Sequence, residues 1–230
     1  MPFFFDFNLM LWTAPAVLLA FWAQWRVQSA YASASRESAP LSGAAAARHI
    51  LDSAGATDVL IEPIPGQLTD HYDPTAKVLR LSEGVYSARS LAAVGIAAHE
   101  AGHALQDAQG YSLMAVRNAA VGTANLGSSA GLILLMIGFG LALKPIAWLG
   151  VALFAGVVFF QLVNVPVELD ASNRAKAQLV SLGIVPAAEM PAVNNVLNAA
   201  AWTYVAATLQ SILTLLYYGN LLTGGSSDDR

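Results

Sequence analysis

PIAWLGVALFAGVVFFQLVNVPV, residues 145–167, carries no charge and is bounded by Lys144 on one side and Glu168 on the other. A membrane-spanning helix needs about 20 mostly apolar residues. The run therefore reads as a bilayer crossing that ends directly on a carboxylate. Three further uncharged runs share its character: residues 7–25, residues 118–143, and residues 190–227, whose spanning part is set at 194–222. The first is marginal and contains Pro15. Trp12, Trp22, Trp25, Trp148, Tyr217 and Tyr218 lie toward run ends, as interfacial aromatic belts do.

The composition agrees. Hydrophobic residues make up 56% of the 230-residue chain and charged ones 11%, against about 25% charged in soluble domains. The net charge of -4 offers no basic field for nucleic acid. Cysteine is absent, so disulfides and thiolate ligands are excluded, and any metal must use His, Asp or Glu. The first run has small-residue sites behind it (Ala30-Tyr31-Ala32, Ala32-Ser33-Ala34) that suit signal cleavage. Its leader "MPFFFDFN" lacks Lys and Arg and carries Asp6, so it is expected to stay as an anchor.

Basic residues set the orientation. Arg26, Arg36, Arg48, Lys77, Arg80, Arg89, Arg117, Arg174 and Lys176 fall between runs one and two or three and four, while only Lys144 and Arg230 fall on the other side. The positive-inside rule places the Arg/Lys-rich segments in the cytoplasm. Residues 26–117 form the sizeable extramembrane region. In it Ser42 can cap a short helix ended by Gly55, residues 58–62 and 77–82 read as strands, and 63–77 is turn-rich. A helix over about 88–109 follows. Residues 168–189 read as an interfacial helix and 223–230 as a flexible tail.

The helix over 88–109 contains GIAAHEAGHALQ, residues 95–106. His99 and His103 are one turn apart on one helix face. Two imidazoles at that spacing can hold one Zn²⁺, and Glu100, offset by one residue, can act as base on a metal-activated water. The motif lies among small apolar residues, where bare imidazoles are costly unless paired or ligating. A catalytic zinc takes three protein ligands and keeps a position open. The third is expected to be Glu168, with Asp170 as the alternative carboxylate. Two spans separate Glu168 from His103, which puts both on one membrane face. A His₂Glu set suits zinc; iron, cobalt or manganese are compatible. In "TDHYDP", residues 69–74, Asp73-Pro74 is turn chemistry. His71 or Tyr72 can also supply an oxyanion donor, and Asp70 or His71 can block the open metal position. A free edge on the strand KVLRLS can align an extended peptide. His49, between Arg48 and Asp52, reads as a surface residue.

The stretches "GQLTDHYDP", "KVLRLSEGVYSARSLAAVGIAAHEAGHALQDAQGY", "VPVELDAS" and "VLNAAAWTYVAATLQSIL" resemble the YugP-type membrane neutral zinc metallopeptidases, over most of the chain from about Ser42 to Leu216. The resemblance implies a zinc peptidase integral to a bacterial inner or plasma membrane. A more distant likeness is to the membrane gluzincins of the CAAX-prenyl and heat-shock protease group, in which Glu-x-x-Ala-Asp supplies the third ligand and an aspartate that orients a ligand histidine. Glu168-Leu169-Asp170-Ala171-Ser172 departs from that pattern at Ser172, which can accept the same bond more weakly. Asp170 or Asn173 are substitutes.

The expected fold is mainly α: about four membrane helices with a small α+β zincin-like unit carrying the HExxH helix. The expected function is zinc-dependent endopeptidase, with one Zn²⁺ per chain bound by His99, His103 and Glu168. Its partners would be the lipid bilayer and peptide or membrane-protein substrates, with no nucleic acid. A non-catalytic membrane scaffold keeping a structural metal is the alternative, and Glu100 argues against it, because a structural site has no use for a base. A transporter fits poorly, since the spans hold no Asp, Glu, Lys, Arg or His.

Overall fold

The computed structural model describes residues 6–224. The tail reading falls mostly outside them, and its described part, Thr223 and Gly224, continues a helix. Among the described residues, four helical segments are long and apolar enough to cross a membrane: Phe7–Ala34, Ser112–Gly140, Lys144–Ser181 and Met190–Gly224. We label the elements α1 (Phe7–Ala34), α2 (Gly43–Ser53), β1 (Leu60–Ile64), β2 (His71–Asp73), β3 (Val78–Ser82), α3 (Glu83–Tyr86) and α4 (Leu91–Ala108). After them come α5 (Ser112–Leu126), α6 (Leu132–Gly140), α7 (Lys144–Ser181) and α8 (Met190–Gly224). A π-helical turn, Gly127–Gly131, joins α5 to α6.

The chain divides into two compact units. One comprises Met1–Trp22, Val116–Val165 and Thr203–Arg230. Its helices turn large apolar side chains outward, among them Leu18, Phe21, Ile133, Leu149 and Phe159. Water does not favour such a surface, whereas lipid does. Inside, glycines let backbones meet. A Cβ on Gly127 would stand 2.4 Å from the Leu153 carbonyl, and one on Gly138 2.4 Å from the Ala147 nitrogen. Small residues at such crossings are how membrane helices gain packing without a hydrophobic driving force. Asp6 caps α1, accepting from the backbone N–H of Asn8 at 3.0 Å and Leu9 at 3.2 Å. Its other oxygen accepts from the Tyr217 hydroxyl.

The second unit comprises Ala23–Ala115 and Pro166–Trp202. Its core joins Ile50 and Leu51 of α2, Leu79 and Leu81 of β3, and Leu91 and Val94 of α4 to Val167, Leu179 and Val193. Ser42 caps α2 as expected, accepting from the Ala45 N–H. Gly55 follows with φ +75°, the left-handed geometry that ends the helix. The sheet runs β1-β3-β2, with β1 parallel and β2 antiparallel to β3. This corrects one expectation: KVLRLS has no free edge for a peptide. β3 is the central strand and both its edges are taken, one of them by β2, which lies inside the turn-rich stretch.

Ser90 caps α4 through the Ala93 N–H. This helix is buried on nearly every side, which explains its run of Ala and Gly. In its interior only Ile96, His99 and Glu100 are less than fully buried. They sit at i, i+3 and i+4 and mark one open stripe. α7 differs from the expected separate span and interfacial helix. It runs unbroken through Pro166, past Glu168, to Ser181.

Candidate metal centre

α4 and α7 touch at Gly102. A Cβ there would lie 2.5 Å from the Ala171 carbonyl oxygen. Glycine between the two histidines therefore lets α7 approach closely enough to bring its carboxylate to their rings. Glu168 Oε2 stands 3.1 Å from His99 Nε2 and 3.5 Å from His103 Nε2. The imidazole rings are 4.8 Å apart and nearly perpendicular. Among the described residues, His99, His103 and Glu168 form the group able to hold a metal, with donor atoms all within 4.8 Å of one another. Neighbouring ligand atoms on a tetrahedral ion with bonds of about 2.0–2.1 Å lie about 3.3–3.4 Å apart. The two nitrogen–oxygen separations bracket that value, so the donor set fits zinc in both chemistry and spacing.

Glu168, the carboxylate expected from the sequence, is the one in this group, and Asp170 lies outside it. The Asp170 carboxylate accepts from the Gln106 side-chain amide at 2.9 Å and from Arg174. Ser172, expected near a ligand histidine, has its Oγ 3.1 Å from His99 Nδ1. Glu100 is pushed up to about 7, chiefly by burial. His99 opposes the shift, while the Glu168 and Asp70 carboxylates add to it. A carboxyl poised near neutrality can give and take protons at working pH.

The segment 69–74 splits by strand alternation. His71 is exposed on β2, its Nδ1 held 2.9 Å from the Thr69 carbonyl, and it lies within electrostatic reach of Glu100. Tyr72, expected as the alternative oxyanion donor, points elsewhere. It is buried and its hydroxyl donates to Asp107 of α4 at 2.7 Å, where Lys77 also binds. Burial first, then this bond, raises the phenol above its ordinary range. Asp70 is not at the metal group either, because it accepts from the Ser82 N–H at 2.8 Å and from the Ser82 hydroxyl. His49 is exposed, as read.

Sequence reasoning missed Gln106. It is fully buried, and its side-chain oxygen lies 2.9 Å from His103 Nδ1. The available signal was an amide one turn past His103 on a helix of small apolar residues, since a buried amide must have partners.

Comparison with known proteins agrees with this geometry. The chain matches, over residues 9–223, the family described as "Putative neutral zinc metallopeptidase". It is 43% identical over 219 residues, 94% of this chain and 97% of the relative, to the "Putative membrane protease YugP" of Bacillus subtilis (strain 168). No solved structure matches it.

Proposed function

This chain belongs to that neutral zinc metallopeptidase family, and from that premise we propose that it is a membrane-anchored zinc endopeptidase. The observation that carries the reading is a carboxyl pushed up to about 7, Glu100, adjacent in the chain to one of three donors that fit a zinc ion. Zinc, when bound, polarises the scissile carbonyl and makes water acidic enough to attack near neutral pH. Glu100 takes the proton from the attacking water and passes it to the leaving amine. His71, exposed on β2 with its Nδ1–H turned to the Thr69 carbonyl, donates from Nε2 to the developing oxyanion in its imidazolium form. The open stripe of α4 leaves the site accessible to an extended chain, as an endopeptidase requires. The Lys/Arg asymmetry supports a cytoplasmic-facing site acting on peptide segments near the bilayer.

The test is zinc content and casein digestion of the detergent-purified protein. Glu100→Gln is expected to keep zinc and lose about 10²–10⁴-fold in rate, whereas Glu168→Ala is expected to lose zinc. His71→Ala should keep zinc and lower kcat by about 10²-fold. Zinc retained in a wild type that cleaves neither casein nor membrane-protein substrates would favour a scaffold with a structural metal.

A further inference from the structure

Gln106 has one carbonyl oxygen, which only accepts, and one amide nitrogen with two hydrogens, which only donates. The nitrogen lies 2.8 Å from the Val167 carbonyl and 2.9 Å from Asp170 Oδ2. Neither partner can donate: one is a backbone carbonyl, the other a carboxylate already paired with Arg174. Both amide hydrogens are therefore committed to α7. The side-chain oxygen must then face His103 Nδ1, 2.9 Å away. Because that oxygen only accepts, His103 must carry its hydrogen on Nδ1. In the neutral ring, which has one N–H, this leaves on Nε2, 3.5 Å from Glu168 Oε2, the lone pair that a metal ion would take. His99 is held differently. Its Nδ1 faces the Ser172 hydroxyl, which can donate or accept and so leaves the tautomer open.

We propose that Gln106 is a positioning residue that sets His103 in its metal-binding tautomer before any metal arrives, and that Asp170, held by Arg174, locks the amide in the orientation this requires. The two ligand histidines are thereby unequal: His103 is fixed and His99 adapts. The inference rests on the reading of His103 as a zinc ligand, and it reaches the ligand through three hydrogen bonds among fully or partly buried groups.

The test begins with the metal-free wild-type protein in detergent, its histidines labelled with ¹⁵N. Only four histidines are present, so each ring can be assigned by substitution. His103 is expected to show a single Nδ1–H tautomer and His99 an exchanging mixture. Finding His103 as the Nε2–H form, or as a mixture, overturns the proposal without any change to Gln106. Next, zinc affinity is measured by chelator competition. Gln106→Leu should weaken it about 10–100-fold and release the His103 tautomer, with Ser172→Ala costing less. Unchanged affinity and tautomer in a folded Gln106→Leu protein also overturn it. A wild type with the Nδ1–H form that binds no zinc refutes the peptidase reading instead, so the two failures are distinguishable.

Discussion

At the scale of single residues, the site holds one carboxyl, Glu100, whose surroundings oppose its charged form. Glu100 carries the clearest consequence. Its folded-state pKa, about 7, exceeds the ordinary 4.5. A raised value means the contribution to stability is fully present below about pH 4.5 and is lost as pH climbs through 7. The metal-free protein should therefore lose stability over that window, by at most about 3 kcal/mol from this group. Glu100→Gln should flatten that part of the loss, seen as a smaller drop in thermal midpoint between pH 5 and 7.5 with chelator present. Equal slopes in the two proteins would show that Glu100 is not the titrating group. Tyr72→Phe probes the other side of β2. Removing the bond to Asp107 should cost about 1 kcal/mol while leaving zinc affinity unchanged. A large loss of zinc instead would place Tyr72 at the metal. His99, Glu100, His103 and Glu168 were legible because their spacing and their placement at a span's end are one-dimensional signals. Gln106 and the Tyr72–Asp107 bond were not, since each depends on which face of an element meets which neighbour.

At the scale of elements, the approach of α4 to α7 decides whether three donors meet. Gly102→Val puts side-chain atoms where the Ala171 carbonyl stands. It should weaken zinc binding at least tenfold although no donor is touched, measured by the same chelator competition. Affinity within twofold of wild type would mean the helices can separate without moving Glu168. Element boundaries were read less well than elements. The expected break at Glu168 came from a change in charge, but ELDASNRAKAQLVS contains good helix formers and no glycine or proline, so α7 simply continues. β2 escaped notice because three residues in a turn-rich stretch give no alternation to detect. Its pairing with β3 is non-local information, and that pairing is what removes the free edge KVLRLS was expected to offer.

At the scale of the whole molecule, the absence of cysteine gives a clean background for mapping orientation. A single cysteine replacing exposed Ser53 should react in intact cells only with membrane-permeant reagents, and one replacing exposed Leu141 with impermeant ones as well. The reverse pattern would invert the assignment made from Arg and Lys. The four helices long and apolar enough to cross a membrane were legible because uncharged runs of this length have few other uses. The donor cluster, by contrast, joins residues 69 positions apart in the chain. Translation at about 5–20 residues per second puts about 3–14 s between the emergence of His99 and that of Glu168. During that interval the nascent polypeptide already carries His99, Glu100 and His103 but lacks the third donor. Completion of the donor set is thus timed by synthesis of the two intervening hydrophobic segments, and a ribosome-bound fragment that stops short of Glu168 holds two of its three members.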